Sequence, residues 1–396
     1  MERLSLSIGS QENSAAANSS VDPHEYTLTH STLEEASSEH GNQNVMNNYN
    51  NGAIIQGALL TSSHDYNGFT STEQETHDVG ESVAQRLQGI RGHVVTLARD
   101  QYGCRFLQAM IDDGIPQEID MILDEVEDHT HELMTHHFGN YLIEKFFISG
   151  KLTFYQFQRI LRYVIMDVQQ LKHTCMNDHG TRVAQKMLTS LRDPVQIACT
   201  VGRLMYITVP LLKNANGGYV IQQCVRVFTE SCQKKCMAYG EGVPILRLVE
   251  SIILNSGILS ADPFGNYVVQ YIIKRNILEP PVTKRIVQHL RGRYAELSMN
   301  RHASHVIEVL FRHSEPTDVV IIIMELVNSP DFVNVLRHPY GNYVAQRALQ
   351  FSTGLTHRTL VHTILSNYAY LHAHPYGKRV LTFIKGIRRG VHGMDL

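Results

Sequence analysis

The sequence predicts an all-α solenoid of stacked helical units, and three observations predict it. A six-residue pattern returns along the chain at a nearly constant spacing. Apolar residues around each copy repeat with the period of a helix, and no strand-like alternation competes with them. The pattern is Gly, a variable residue, Tyr/Arg/His, two apolar residues, then Gln/Glu. Its sharpest copy is Gly265-Asn266-Tyr267-Val268-Val269-Gln270, and others begin at Gly103, Gly139, Gly180, Gly217 and Gly341, with Ala303 replacing Gly in one more. A degenerate relative, Gly377-Lys378-Arg379, has Thr382 where Gln or Glu should stand. The second residues, from Cys104 to Lys378, lie 36, 41, 37, 48, 38, 38 and 36 positions apart. Such a period marks helical repeats, each burying its apolar side against the next.

Within one copy, a helix turning about 100° per residue places Gln270 about 40° and Tyr267 about 100° from Asn266, with Val268, Val269, Ile272 and Ile273 on the other side. Burying the apolar side leaves the trio at i, i+1 and i+4 facing outward from the same side of every unit. Two positions then carry hydrogen-bonding groups, and the middle one a flat ring or guanidinium that can stack. Unstacked bases are read by that combination, with planes between bases and polar groups on their edges. One trio alone would be an ordinary solvated helix face, which tolerates Lys and Glu at any position. Here the middle position holds only Tyr, Arg or His and the last only Gln or Glu in all seven full copies.

These motifs resemble the repeats of the Pumilio/PUF family of RNA-binding proteins, over roughly residues 90 to 390. The resemblance implies three-helix repeats stacked into a curved, right-handed, armadillo-like arc, a Pumilio homology domain. It implies that the inner helices read one base each, that the RNA runs antiparallel to the chain, and that Lys378-Arg379 lies in a C-terminal capping half-repeat. The base-stacking residues would be Arg105, Tyr141, Arg182, Tyr219, Tyr267, His305 and Tyr343. The base-edge residues would be Cys104 and Gln108, Asn140 and Glu144, Thr181 and Gln185, Gln222, Asn266 and Gln270, Ser304 and Glu308, and Asn342 and Gln346.

Hydrogen-bond inventories turn those pairs into bases. An acceptor-only carboxylate suits the two adjacent donors of guanine, so Ser304 with Glu308 should read G. Amides offer donor and acceptor together, so Asn266/Gln270 and Asn342/Gln346 should read U. Cys104/Gln108 and Thr181/Gln185, each with an Arg stacker, resemble the family's adenine readers. Gly218 contributes no side chain to a presumed U, and Asn140 with Glu144 leaves U or G open. The target is then U-G-U, an unread or skipped position, and U-A-(U or G)-A. The unread position reflects the long interval from Cys224 to Ala261, where a fifth reader helix is expected to be missing or degraded and Gly240-Glu241-Gly242 to be a linker.

The 396 residues carry an overall charge of -3, which hides an asymmetry. Residues 1–90 hold twelve acidic and two basic groups, a net of -10, whereas 91–396 have a net of +7, which suits a phosphate backbone. Segment 1–81, rich in Asn, Ser and Glu, is expected to be a disordered acidic tail, and 82–396 the RNA-binding repeat domain. No apolar run is long enough for a signal peptide or a membrane span, which predicts a soluble, cytoplasmic protein, with a nuclear location also compatible.

The six cysteines show no paired spacing, and five are expected to be small core residues, Cys104 being the exception. His131 and His136 are five apart and so on different helix faces, which argues against a metal site with His129 and His137. No nucleotide loop, nucleophile elbow or paired carboxylates stand outside the repeat, so neither an enzyme nor a cofactor is expected. The expected partners are single-stranded messenger RNA and, through the resemblance, translational-repression or deadenylation proteins, the chain itself acting as a monomer. The alternatives are a family relative binding structured or ribosomal RNA, and a helical-repeat scaffold holding an extended peptide. A peptide groove has no need of Tyr or Arg alternating with Gln and Glu in one register.

Overall fold

The computed structural model of the protein describes residues 87–235, 244–276 and 280–392. The acidic segment 1–81, the start of order expected at Ser82, and Gly240-Glu241-Gly242 lie outside them. Among the described residues every regular element is helical, and no helix is long and apolar enough to cross a membrane.

Among the described residues seven units follow one another, each a short lead helix, a reader helix carrying the motif, and an outer helix. Unit 1 is α1 (Val94–Ala98), α2 (Gln101–Asp113) and α3 (Pro116–Val126); unit 2 is α4 (Thr130–Thr135), α5 (Gly139–Ile148) and α6 (Phe154–Met166). Unit 3 is α7 (Val168–Met176), α8 (Gly180–Ser190) and α9 (Pro194–Tyr206); unit 4 is α10 (Thr208–Leu212), α11 (Ala215–Lys235) and α12 (Pro244–Leu254). Unit 5 is α13 (Ser256–Ser260), α14 (Gly265–Arg275) and α15 (Val282–His289); unit 6 is α16 (Tyr294–Met299), α17 (Ala303–His313) and α18 (Pro316–Asn328). Unit 7 is α19 (Phe332–Leu336), α20 (Gly341–Phe351) and α21 (Gly354–Ser366), and a cap of α22 (Tyr368–His372) and α23 (Pro375–His392) completes the array.

Local chemistry sets these boundaries. Pro at the first turn opens α3, α9 and α18, where its missing N–H costs nothing. Thr153 and Gln156 form a reciprocal capping box at the start of α6. The apolar stripe Ile160, Leu161, Val164 and Ile165 belongs to α6, while Val168 already opens α7 behind its N-cap Asp167.

Each reader helix packs on the reader helix of the next unit, from α2 through to α23. Val268, Val269, Ile272 and Ile273 are fully buried, as the helical spacing required. The motif glycine has a different purpose from the turn its position suggests. A Cβ on Gly103 or Gly217 would lie 2.6 Å from the carbonyl oxygen of Leu97 or Leu211, so Gly lets the reader helix press onto the backbone of its lead helix.

Two expectations are corrected. The interval between Gly218 and Asn266 lacks no unit among the described residues. Its extra length is taken up by α11, which runs for 21 residues, and by 236–243; α12 and α13 then continue the regular order. A Cβ on Gly218 would be 3.9 Å from Val268 Cγ2, so readers four and five are direct neighbours. Cys199, expected in the core, is exposed on α9, whereas Cys175 and Cys224 are buried; Cys232 and Cys236 fall beyond the described side chains.

Candidate nucleic-acid interface

The reader helices begin with a cap that the motif itself does not contain. Three residues before each motif Gly or Ala stands Asp100, His136, Asn177, Asn214, Asp262, Asn300 or His338, and six of these side chains accept the N–H of that Gly or Ala or of the residue beside it within 3.1 Å. In unit 7, His338 Nδ1 accepts from Tyr340 N at 3.3 Å. Helix starts leave such donors unsatisfied, and a short polar side chain closes them. Sequence reading missed these residues, although a recurring Asp, Asn or His three places ahead of the motif was the clue.

The middle residues of the trios are exposed, as the reading requires: Tyr141, Tyr219, Tyr267 and Tyr343 at 47 to 63%, with Arg105, Arg182 and His305 also in the exposed class. The first residues are not outward. Cys104, Asn140, Thr181, Asn266, Ser304 and Asn342 are 0 to 5% exposed, which corrects the expectation that two hydrogen-bonding positions per unit face a ligand. The physical reason is the turn before each reader helix, whose carbonyls need donors. Asn266 Nδ2 donates to the carbonyls of Asp262 and Pro263 at 2.8 and 3.0 Å, Asn342 to those of His338 and Pro339 at 2.8 Å, and Asn140 to those of His136 and His137 at 2.7 and 3.0 Å. Leaving buried carbonyls unpaired would cost more than turning the side chain inward.

From that buried position the first residue holds the last. Gln270 Nε2 donates to Asn266 Oδ1 at 3.0 Å, Gln346 to Asn342 at 3.2 Å, Gln185 to Thr181 Oγ1 at 3.2 Å and Gln108 to Cys104 Sγ at 3.3 Å. Each such glutamine is pinned at one amide proton; Gln108, Gln185 and Gln346 stay half-buried, whereas Gln270 is only 6% exposed, more buried than a residue meeting a ligand directly was expected to be. Gly218 offers Gln222 no such support.

Contacts between units keep the trios in register. Cys104 Sγ donates to Phe138 O at 3.2 Å, Thr181 Oγ1 donates to Asn216 O at 3.0 Å, and Arg379 of the cap reaches Tyr343 Oη at 3.2 Å. The first two acceptors lie directly before the next motif glycine. Reader helices α2 and α8 are thus tied to the starts of their successors. Lys378, Arg379 and Thr382 are exposed where an eighth trio would be, and the Arg379 guanidinium lies 5.3 Å from the Tyr376 ring.

The histidine cluster is spent on structure. His131 Nδ1 meets Thr174 Oγ1 at 2.9 Å, His129 pairs with Glu132 at 3.1 Å, and the His136 and His137 rings contact each other at 4.4 Å. Among the described residues no group of three or more His, Cys, Asp and Glu could hold a metal. Burial, as the largest cause, pushes the Cys104 thiol up and holds His136 and His338 below the usual imidazole range. His136 and His338 cap as neutral acceptors, which protonation would abolish.

In the unfolded chain these two histidines, titrating at about 6.5, therefore take up protons before they do in the folded one. Stability from these caps is complete above that pH and is lost as pH falls through the lower folded values. Replacing both by Asn, the cap used in units 3, 4 and 6, should flatten the drop in unfolding midpoint between pH 7.5 and 5.5. Thermal unfolding of both proteins across that range checks this, and an unchanged slope would contradict it.

Comparison with known proteins follows the same division into units. A family model described as "PUF: Pumilio-family RNA binding repeat" matches residues 93–127, 129–151, 173–198, 209–239, 258–276, 293–327 and 331–365, one match in each unit. Pumilio homolog 12 of Arabidopsis thaliana is 34% identical over 316 residues, covering 74% of this chain and 52% of that protein. Pumilio homolog 9 of the same plant is 35% identical over 318 residues, covering 74% and 55%. The chain thus spans about half the length of these curated relatives. Among solved structures, the Puf4 RNA binding domain bound to an HO endonuclease RNA 3′ UTR recognition sequence is 29% identical with a TM-score of 0.46, over 73% of this chain and 97% of that one. With a family match in each of its seven units and relatives more than 30% identical across the array, the chain belongs to the Pumilio family of RNA-binding repeat proteins.

Proposed function

We propose that this protein reads single-stranded RNA one base per unit, centred on a U-G-U element in messenger RNA 3′ untranslated regions, and lowers translation or lifetime of the message. The observation that carries this reading is the row of seven exposed rings and guanidiniums, six of them beside a Gln or Glu braced from within or from the next unit. Stackers separate the bases; Gln108, Glu144, Gln185, Gln222, Gln270, Glu308 and Gln346 supply the edge contacts. Cys104, Asn140, Thr181, Asn266, Ser304 and Asn342 set the floor beneath six of the bases, and Cys104, Thr181, Asn266 and Asn342 orient the glutamine contacts.

In antiparallel order the units ask for U-G-U from units 7 to 5, then U-A-(U or G)-A from units 4 to 1. Because readers four and five are neighbours, the two blocks are proposed to join directly, without the unread position that a lost unit would require. The same continuity favours a base-by-base reading over a structured-RNA role. Cytoplasmic action and recruitment of deadenylation or repression proteins complete the reading, with the chain as a monomer.

Glu308→Gln tests it. Replacing an acceptor-only carboxylate by an amide should reduce the preference for G over U at the second position by about 10-fold or more, the weight of a bidentate edge contact. Titration of fluorescent RNAs substituted at each position, with and without one inserted base after U-G-U, is the measurement. Unchanged preference, or equal binding of all RNAs by the wild-type protein, would defeat the proposal.

A further inference from the structure

The two carboxylate readers differ from the glutamines in how they are held. Glutamine can donate to its own first residue, and four of the five do. A carboxylate has no proton to give, and the first residues beside Glu144 and Glu308 point their donors elsewhere. Asn140 donates to the His136 and His137 carbonyls, and Ser304 Oγ donates to Arg301 O at 3.3 Å.

A cation of the following unit faces each carboxylate, and Glu308 also has His305 Nδ1 of its own unit 3.9 Å from Oε1. Arg347 Nη2 lies 3.5 Å from Glu308 Oε2, and Lys186 Nζ lies 3.9 Å from Glu144 Oε1. Both cations occupy the same motif position, immediately after that unit's own reader Gln346 or Gln185. At this position the units after the glutamine readers carry Lys145, Gln223, Tyr271, Val309 and, in the cap, Phe383. Lys145 turns to Asp112 at 2.8 Å. Across the array a cation thus faces a reader residue where that residue is a glutamate. Arg347 is itself steadied by Gln350 Oε1 at 2.6 Å, and Glu308 and Glu144 are each only about a fifth exposed.

Resting on the base-by-base reading above, we propose that Arg347 and Lys186 are positioning residues for guanine selectivity, and that units 6 and 2 both read G. Each cation holds its neighbour's carboxylate aimed, so that both oxygens meet the paired N–H donors of guanine. Neither uracil nor adenine presents two adjacent donors on that edge, so the braced carboxylate rejects them. The open choice at Asn140/Glu144 closes on G, because the Glu144 carboxylate has no proton to offer a uracil carbonyl and accepts only. The target becomes U-G-U-U-A-G-A.

The test uses the full chain, synthetic U-G-U-U-A-G-A in whichever spacing binds tighter, and versions with A, C or U at either G. Arg347→Gln should lower G preference at the second position about 10-fold, and Lys186→Gln at the sixth about 3-fold, the smaller change reflecting a more exposed and more distant cation. Preferences at the other five positions should stay as in the wild type, and Arg347→Lys and Lys186→Arg should restore most of the loss. Arg347→Gln added to Glu308→Gln should change nothing further at the second base, because both remove one device. Uniform weakening on every RNA would show cations that merely meet phosphate, and would overturn the proposal. So would wild-type preference for U at the sixth base, or full G selectivity in the Gln variants. If wild-type protein showed no preference at any position, the base-by-base reading would fail first.

Discussion

Replacing both Tyr267 and Tyr343 by Ala should weaken RNA binding about 30-fold or more while leaving the fold intact. Base–aromatic stacking contributes on the order of 1–3 kcal/mol per base, so two lost rings cost at least about 2 kcal/mol. Both rings are largely exposed, so their removal takes little from the core, and the unfolding midpoint should move by no more than a surface substitution does. The loss should be shared by matched and mismatched RNAs, because every base offers a face to stack on. This separates the stackers from Glu308, whose replacement should alter preference more than overall affinity. Fluorescence anisotropy on matched and singly mismatched RNAs measures both quantities. Binding within about 3-fold of wild type would mean that the ladder of rings is not where the bases lie.

Cutting into the packing beneath the readers should have the largest effect on stability. Phe311 in α17 is 1% exposed, and truncating a buried Phe to Ala costs roughly 3–5 kcal/mol in lost transfer energy and cavity. In a stacked array each unit touches only its neighbours, so the damage should remain local. Hydrogen exchange should quicken in α17 and in the flanking α14 and α20, and stay near wild type in α2 and α5. Affinity for U-G-U RNAs should fall with it, since units 5 to 7 are the ones proposed to read that element. A uniform loss of protection from α2 to α23 would instead show that the array unfolds as one cooperative block.

Much of the architecture was legible because the same physical problem is solved seven times. A helix that must bury Val268, Val269, Ile272 and Ile273 shows its period in the residues themselves, and repetition at 36 to 48 positions names a solenoid. The exposure of the middle residues was legible for the same reason: Tyr, Arg and His in one register on the polar side of an amphipathic helix are exposed wherever that helix packs. The long interval misled because counting residues cannot tell an absent unit from a lengthened helix. Spacing measures chain, and α11 uses more of it than the other reader helices.

The residues by themselves therefore determined an all-α repeat, its phase, and which side chains face outward as flat groups, since these follow from periodic burial alone. Only the tertiary structure decided that Asn140, Asn266 and Asn342 turn inward, that the motif glycine serves a close approach to the lead helix, and that Arg347 and Lys186 stand behind the two carboxylates. Those outcomes depend on carbonyls, backbones and charges that belong to another turn or another unit. Their partners lie up to 42 positions away along the chain, and stacking brings them within hydrogen-bond or ion-pair distance.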